Sequence, residues 1–187
     1  MKKAHYFWIL LFLPMLFIAQ EKITLFSENQ SDWEIVGEAQ WHFKKGVLKA
    51  NATTGEGFVI TKNTYKNFLL TLDFKPNKKV NSGIFVLCKG TEMSATDCHE
   101  INIWDLHPNQ DNRSGSIVTK QIPKAYIETI GQWNTYEIRC EGNRTTVTLN
   151  GKVTAIHDGN PAPEGVIGLQ AAKEGKIAFR NIFLQPL

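Results

Sequence analysis

The run from Cys98 to Val118, CHEINIWDLHPNQDNRSGSIV, joins a strand-like segment to a polar loop and gathers most of the chain's candidate chemistry. If His99 to Asp105 is extended, alternate side chains point to opposite faces. Glu100, Asn102 and Trp104 then share one face, and His99, Ile101 and Ile103 share the other. A carboxylate, an amide and an indole in a row suit a sugar, with polar groups for hydroxyls and a ring for a pyranose face. Glu100 is the first candidate for a general base or hydroxyl acceptor. Trp104 is the expected stacking platform, and Asn102 a substrate-binding amide.

The following loop adds His107 as a second catalytic candidate and Arg113 as a substrate-binding cation. Asp105, His107 and Asp111 offer oxygen and imidazole ligands for a divalent cation, although their spacing matches no fixed metal motif. Elsewhere, Asp73 and Gln170 occupy strand positions that can face the same concavity. Trp33, Trp41 and Trp133 read as core. No Ser-His-Asp constellation or reactive-thiol arrangement is visible. The sequons at Asn29, Asn51, Asn112 and Asn143 carry glycan only in a eukaryotic secretory pathway.

These residues need a scaffold, and the pattern around them is that of strands. Asn67 to Lys75, NFLLTLDFK, alternates strictly, with Phe68, Leu70, Leu72 and Phe74 on one face. Asn81 to Cys88 is a second strong strand, whose Ser82-Gly83 suggests a bulge or close backbone approach, and the two are expected to pair as a hairpin. Further short β-rich runs lie at 39–43, 46–50, 57–61, 98–105, 133–141, 145–150, 165–170 and 175–184. Asn150-Gly151 is the strongest two-residue hairpin signal. About ten short strands with turn residues between them, and no helical periodicity, indicate an all-β antiparallel sandwich. The Cys-Trp-Cys framework of immunoglobulin domains is absent, but strand count alone does not separate that sandwich from a jelly roll.

Composition narrows the setting. Lys2 and Lys3 precede an apolar run from Tyr6 to Ala19, which reads as a secretory signal peptide over residues 1–20 and implies a periplasmic or extracellular destination. No second apolar run follows, so no transmembrane anchor is expected in the mature chain. Residues 21–187 fit one domain. Losing Lys2 and Lys3 lowers the formal charge from +3 to +1, which leaves no electrostatic footprint for nucleic acid. Of the three cysteines, Cys88 and Cys98 could bridge the ends of one loop and leave Cys140 as a buried thiol; three reduced, buried thiols are the alternative.

Seven segments, taken in order, carry a resemblance: Trp41 with Gly46 and Leu48, YKNFLLTLDFK at 65–75, NSGIFV at 81–86, HEINIWD at 99–105, GQWNTYEI at 131–138, LNG at 149–151, and IGLQ with FRNIFL at 167–184. Together they resemble the 3-keto-disaccharide hydrolase family over nearly the whole mature chain. The resemblance implies an antiparallel jelly-roll β-sandwich of the concanavalin A-like type and a carbohydrate partner. It implies removal of the carbon-2 proton of a 3-keto-glycoside, elimination at carbon 1 and hydration. It places Glu100 at the family's acidic position, Asn102 where glutamine is usual, and Asp105 at the following acid. Leu87 and Ala172 stand where the family pattern carries arginine and histidine, and His99, His107 or Arg113 are the candidates to replace them. EINIWD is also similar in part to the E-I-D-I-x-E segment of laminarinase-type retaining glycosidases, with Asn102 replacing the central acid. A non-catalytic glycan-binding module is the alternative from another class.

Overall fold

The computed structural model describes residues 21–187; the expected signal peptide lies outside the described residues. Among the described residues thirteen strands follow in chain order: β1 (Ile23–Thr24), β2 (Trp33–Gly37), β3 (Gln40–Lys44), β4 (Val47–Asn51), β5 (Gly57–Thr61), β6 (Phe68–Pro76), β7 (Ser82–Cys88), β8 (His99–Ile103), β9 (Asn134–Glu141), β10 (Arg144–Leu149), β11 (Lys152–Asp158), β12 (Val166–Ala171) and β13 (Lys176–Pro186). They form an antiparallel jelly-roll sandwich. One sheet has the order β11-β10-β9-β6-β13-β4-β3, with β1 also on β13; the other has the order β2-β5-β12-β7-β8. Among the described residues no helix is long and apolar enough to cross a membrane.

Alternation dictates the core. On β6, Phe68, Leu70, Leu72 and Phe74 are fully buried, and on β9 Tyr136, Ile138 and Cys140 oppose them from the same sheet. From the five-stranded sheet Val59, Ile84, Val86, Ile101, Ile103, Ile167 and Leu169 complete this core. Tyr136 stacks on Phe74 at 4.8 Å between ring centroids, and its hydroxyl donates to the Asn102 carbonyl at 2.7 Å. That bond ties the large sheet to β8 from beneath. Asn150 and Gly151 both adopt positive φ, 48° and 77°, as the tight β10–β11 turn demands.

The expected β6–β7 hairpin does not form. β6 lies in the eight-stranded sheet and β7 in the other, between β12 and β8. The reason is visible in β7, where all seven residues are buried, against alternate residues on β6. A strand covered on both faces belongs inside a sheet whose outer side is also packed. Here the cover is the loop between Cys88 and Cys98, closed by a disulfide, with Met93 packed on a second apolar cluster of Ile60, Phe85 and Val166. Cys140 is free and buried. Trp33 and Trp41 are core, as expected, whereas Trp133 is only half-buried and lies under the Arg180 guanidinium.

Candidate functional site

Directly opposed residues of antiparallel neighbours share a face, so the outer surface of the five-stranded sheet can be read row by row. One row runs Ile60, Gly168, Phe85, Glu100. The next pairs Phe58 with Gln170 and Gly83 with Asn102. A third follows from the bridge between Ala172 and Asn81, which by continuation of the β7–β8 register lies beside Trp104. Gly83 therefore leaves room in the floor between Gln170 and Asn102, and the Glu100 side chain and the edge of the Phe85 ring occupy it. A Cβ built on Gly83 would meet Glu100 Cγ at 3.2 Å and Oε1 at 3.3 Å. Phe58 and Phe85, edge to face at 5.6 Å, give the floor its apolar part.

Glu100 is the electrostatic centre of this surface. Burial, and then the nearby Glu56 carboxylate, push its carboxyl up to about 7 against a smaller opposing pull from Lys120. No hydrogen bond contributes to that shift. Gln170 Nε2 donates to Glu56 Oε1 at 2.6 Å, leaving Gln170 Oε1 buried and without a partner. Lys120 donates from Nζ to the carbonyls of Ala95 and Cys98, the latter at 3.1 Å, so the disulfide loop holds the cation that faces Glu100. Burial lowers the Lys120 pKa, although Glu100 and Asp97 pull it the other way. A carboxyl that titrates near neutrality, a held ammonium, an uncommitted amide oxygen and the half-buried Phe58 ring can together bind a sugar and move a proton.

The other sequence candidates are distributed differently. Trp104 does share the Glu100 face, but four residues further along, about 13 Å at strand rise. Its ring carries the Lys173 ammonium at 4.3 Å from the centroid and the His107 ring at 4.4 Å. His107 thus belongs with Trp104 and not with Glu100; its Nδ1 accepts from the Asn109 N–H at 3.0 Å. Asn102 points to the right face, yet its amide is spent on structure: Nδ2 donates to the Asn112 carbonyl and Oδ1 accepts from Ile103 N–H at 2.9 Å. It pins the polar loop against β8 and has little left for a ligand.

Three candidates lie elsewhere. Asp73 is on β6 of the opposite sheet, facing away from the core, with Thr135, Arg180 and Asn181 donating to it. Burial opposes its ionisation, but those bonds outweigh burial and hold the carboxyl below its ordinary value. Arg113 is buried against Glu128, at 2.9 Å, and the Tyr126 ring, at 4.6 Å. Its partners come from the connection before β9. His99 faces inward, bonded to Thr145 Oγ1 and the Gly159 carbonyl, each at 3.0 Å. None of the three replaces the cation or imidazole expected near Glu100. Leu87, at the position of the family's arginine, sits at a bulge with φ 54° and is buried in the core.

The side chains of Asp105, His107 and Asp111 are not brought together. Both Asp105 oxygens are occupied by Thr129 and Ile130, at 2.6 to 3.3 Å. Among the described residues no group of three metal-ligating side chains comes together. The same bonds remove Asp105 as the second carboxylate of a laminarinase-type pair. What sequence reasoning missed is Glu56, Phe58, Phe85 and Lys120. The last was the most accessible: a lysine just beyond the polar loop, in a chain needing a cation there.

The 3-keto-alpha-glucoside-1,2-lyase-like domain family matches residues 21–185. No curated protein sequence matches the chain significantly. Among solved structures, a protein from Parabacteroides distasonis ATCC 8503, provisionally described as a glycosyl hydrolase, superposes with a TM-score of 0.79 at 28% identity, covering 89% of this chain and 100% of its own. The β-glucanase of Bacillus licheniformis superposes with a TM-score of 0.64 at 14% identity over 90% of this chain and 98% of its own. The carbohydrate binding module CBM66 of Bacillus subtilis gives 0.63 at 14% identity over 84% and 97%. The last two similarities concern the fold.

Proposed function

We propose, from the premise that this chain belongs to the 3-keto-alpha-glucoside-1,2-lyase-like family, that it cleaves 3-keto-glycosides with Glu100 as the base. The observation that carries this reading is the Glu100 carboxyl, packed directly over Gly83 and pushed up to about 7 by burial and the Glu56 charge. A ketone at carbon 3 acidifies the carbon-2 proton. Glu100 takes that proton, and the electron pair passes to the ketone oxygen as an enolate. The enolate then expels the oxygen at carbon 1, leaving a C1=C2 double bond, and the departing oxygen takes a proton from solvent. Addition of water across the double bond completes hydrolysis. Lys120 supplies the positive charge facing Glu100, and the half-buried Phe58 offers apolar surface to the ring. Trp104 extends the same face toward a second sugar unit or aglycone.

Export fits this reading. The apolar leader and the Cys88–Cys98 disulfide both suit an oxidising compartment outside the cytoplasm. A second reading, sugar binding without turnover, is favoured by one observation: the Lys120 ammonium is already committed to two carbonyls. The deciding experiment incubates purified protein with a 3-keto-glycoside and its unoxidised parent. Release of aglycone from the keto form alone is expected. Equal release from both would point to a retaining glycosidase, and binding without release to the module.

A further inference from the structure

On the far side of the sandwich, a recess of about 420 Å³ lies on the outer face of the eight-stranded sheet. Its lining includes His42, Lys49, Lys75 and Lys176, and no acidic residue. The arrangement follows from register: His42 is opposite Lys49, Lys49 opposite Ala178, and Ala178 opposite Lys75. Two lysines therefore flank an alanine across three adjacent strands, about 10 Å apart at ordinary strand spacing. Lys176 stands two residues along β13, opposite Asn51, whose Oδ1 has no hydrogen-bond partner. None of the ion pairs among the described residues engages these lysines. The mature chain's small net charge makes this local excess of cations the more distinct.

We propose that this recess is a second carbohydrate-binding site, selective for an acidic saccharide bearing carboxylate or sulfate groups. The floor at Ala178 is small and apolar, as the face of a sugar ring requires, and the cations stand around it, where anionic substituents project. The volume is that of a small-molecule site, about 300–1,000 Å³. A lipid surface would meet a flat or protruding basic patch instead of a recess. The site is on the opposite sheet from Glu100, so it can hold one part of an acidic polymer while the other face works on another.

Titration calorimetry of the purified protein tests this, with oligogalacturonate and chondroitin sulfate oligosaccharides as probes, neutral dextran oligosaccharides as the control, and phosphatidylglycerol vesicles as the competing class. Binding of an acidic probe that weakens with salt is expected, with at least about tenfold loss in a Lys49→Gln/Lys75→Gln/Lys176→Gln variant. Ala178→Trp fills the floor without changing charge and should abolish binding while the melting midpoint stays near wild type. Retained binding in Ala178→Trp would reduce the effect to non-specific charge attraction and overturn the site. Equal binding of dextran, or lysine-dependent binding of vesicles in place of saccharides, would overturn the ligand class. Calorimetry needs no turnover, so failure here is separate from failure of the Glu100 mechanism.

Discussion

Glu100 on β8 closes over Gly83 on β7, its neighbour across the sheet, so closely that a single methyl group on Gly83 would come within 3.2 Å of the Glu100 side chain. Gly83 is not among the residues with positive φ, so its value lies in the space it leaves. Gly83→Ala should therefore push Glu100 and the Phe85 ring aside. The expected result is at least a tenfold loss of kcat/KM, with overpacking that costs about 1–3 kcal/mol. Denaturant melts run beside the assay separate the two, and full activity in a folded Gly83→Ala protein would show that the packing of Glu100 on Gly83 does not set its catalytic position.

As a base Glu100 must be ionised, and burial with the charge of Glu56 carries its carboxyl up to about 7. kcat/KM on a 3-keto-glycoside should rise about tenfold per pH unit below about 7 and level off above it. Glu100→Gln should lower the rate by about 10²–10⁴. A plateau reached already at pH 5 would show that a different group takes the proton.

The same shift governs stability, with the opposite sign to that of a buried histidine. Glu100 is raised from 4.5 to about 7, so between those values the folded chain holds a proton the unfolded chain has lost, and stability falls as pH rises. His99 is lowered from 6.5 to about 4 by burial and then by Lys120 and His157, so its stability contribution is present above 6.5 and lost as pH falls toward 4. Each effect is at most about 3 kcal/mol, and they oppose one another between about 4.5 and 6.5. Asp73, held below 3.8, acts beneath that window. Wild-type stability should be nearly level there, and Glu100→Gln should unmask a rise with pH. Urea midpoints across this range decide the matter; parallel profiles for the two proteins would contradict it.

Trp104 is half-buried, between Lys173 and His107, outside the main core. Trp104→Ala should cost no more than about 1 kcal/mol, against about 3–5 kcal/mol for a core tryptophan. KM for a disaccharide substrate should rise, with a smaller effect on a simple glycoside. An unchanged KM for both would take Trp104 out of the binding surface.

The disulfide holds the loop that supplies both Met93 and the carbonyl partners of Lys120. Replacing Cys88 and Cys98 together by alanine should cost about 2–3 kcal/mol, as expected for a short closed loop. It should also depress turnover more than the stability loss explains, because the cation facing Glu100 loses its anchor. Mass mapping of the native protein should find the pair linked and Cys140 free.

Much of this fold can be read from alternation: β6, β9 and β10 show their buried faces residue by residue, and Asn150-Gly151 marks its turn without ambiguity. Membership of a sheet cannot be read that way. The Pro76 to Lys79 turn looks local, yet the chain there crosses between layers, and only the double-sided burial of β7 hints at it. At the site, Glu100 and Trp104 were legible because β8 is regular around them. Glu56 was not, because it precedes Gly57 in an irregular approach to β5 and reaches Gln170 only through a pairing far apart in sequence. Asn102 and Asp105 had suitable side chains but proved committed to structure, Asn102 to the Asn112 carbonyl and Asp105 to Thr129 and Ile130, contacts no spacing rule foretells.

The position of β13 bears on how the molecule is made. It runs down the middle of the larger sheet, between β6 and β4, and also receives β1. All of its partners are synthesised before it, so an emerging chain lacking residues 176–186 holds two separated ribbons with no strand to join them. Pairings of such long sequence separation are slow to form and leave apolar edges exposed meanwhile. The larger sheet of this protein should thus stay open in nascent chains until β13 has been made.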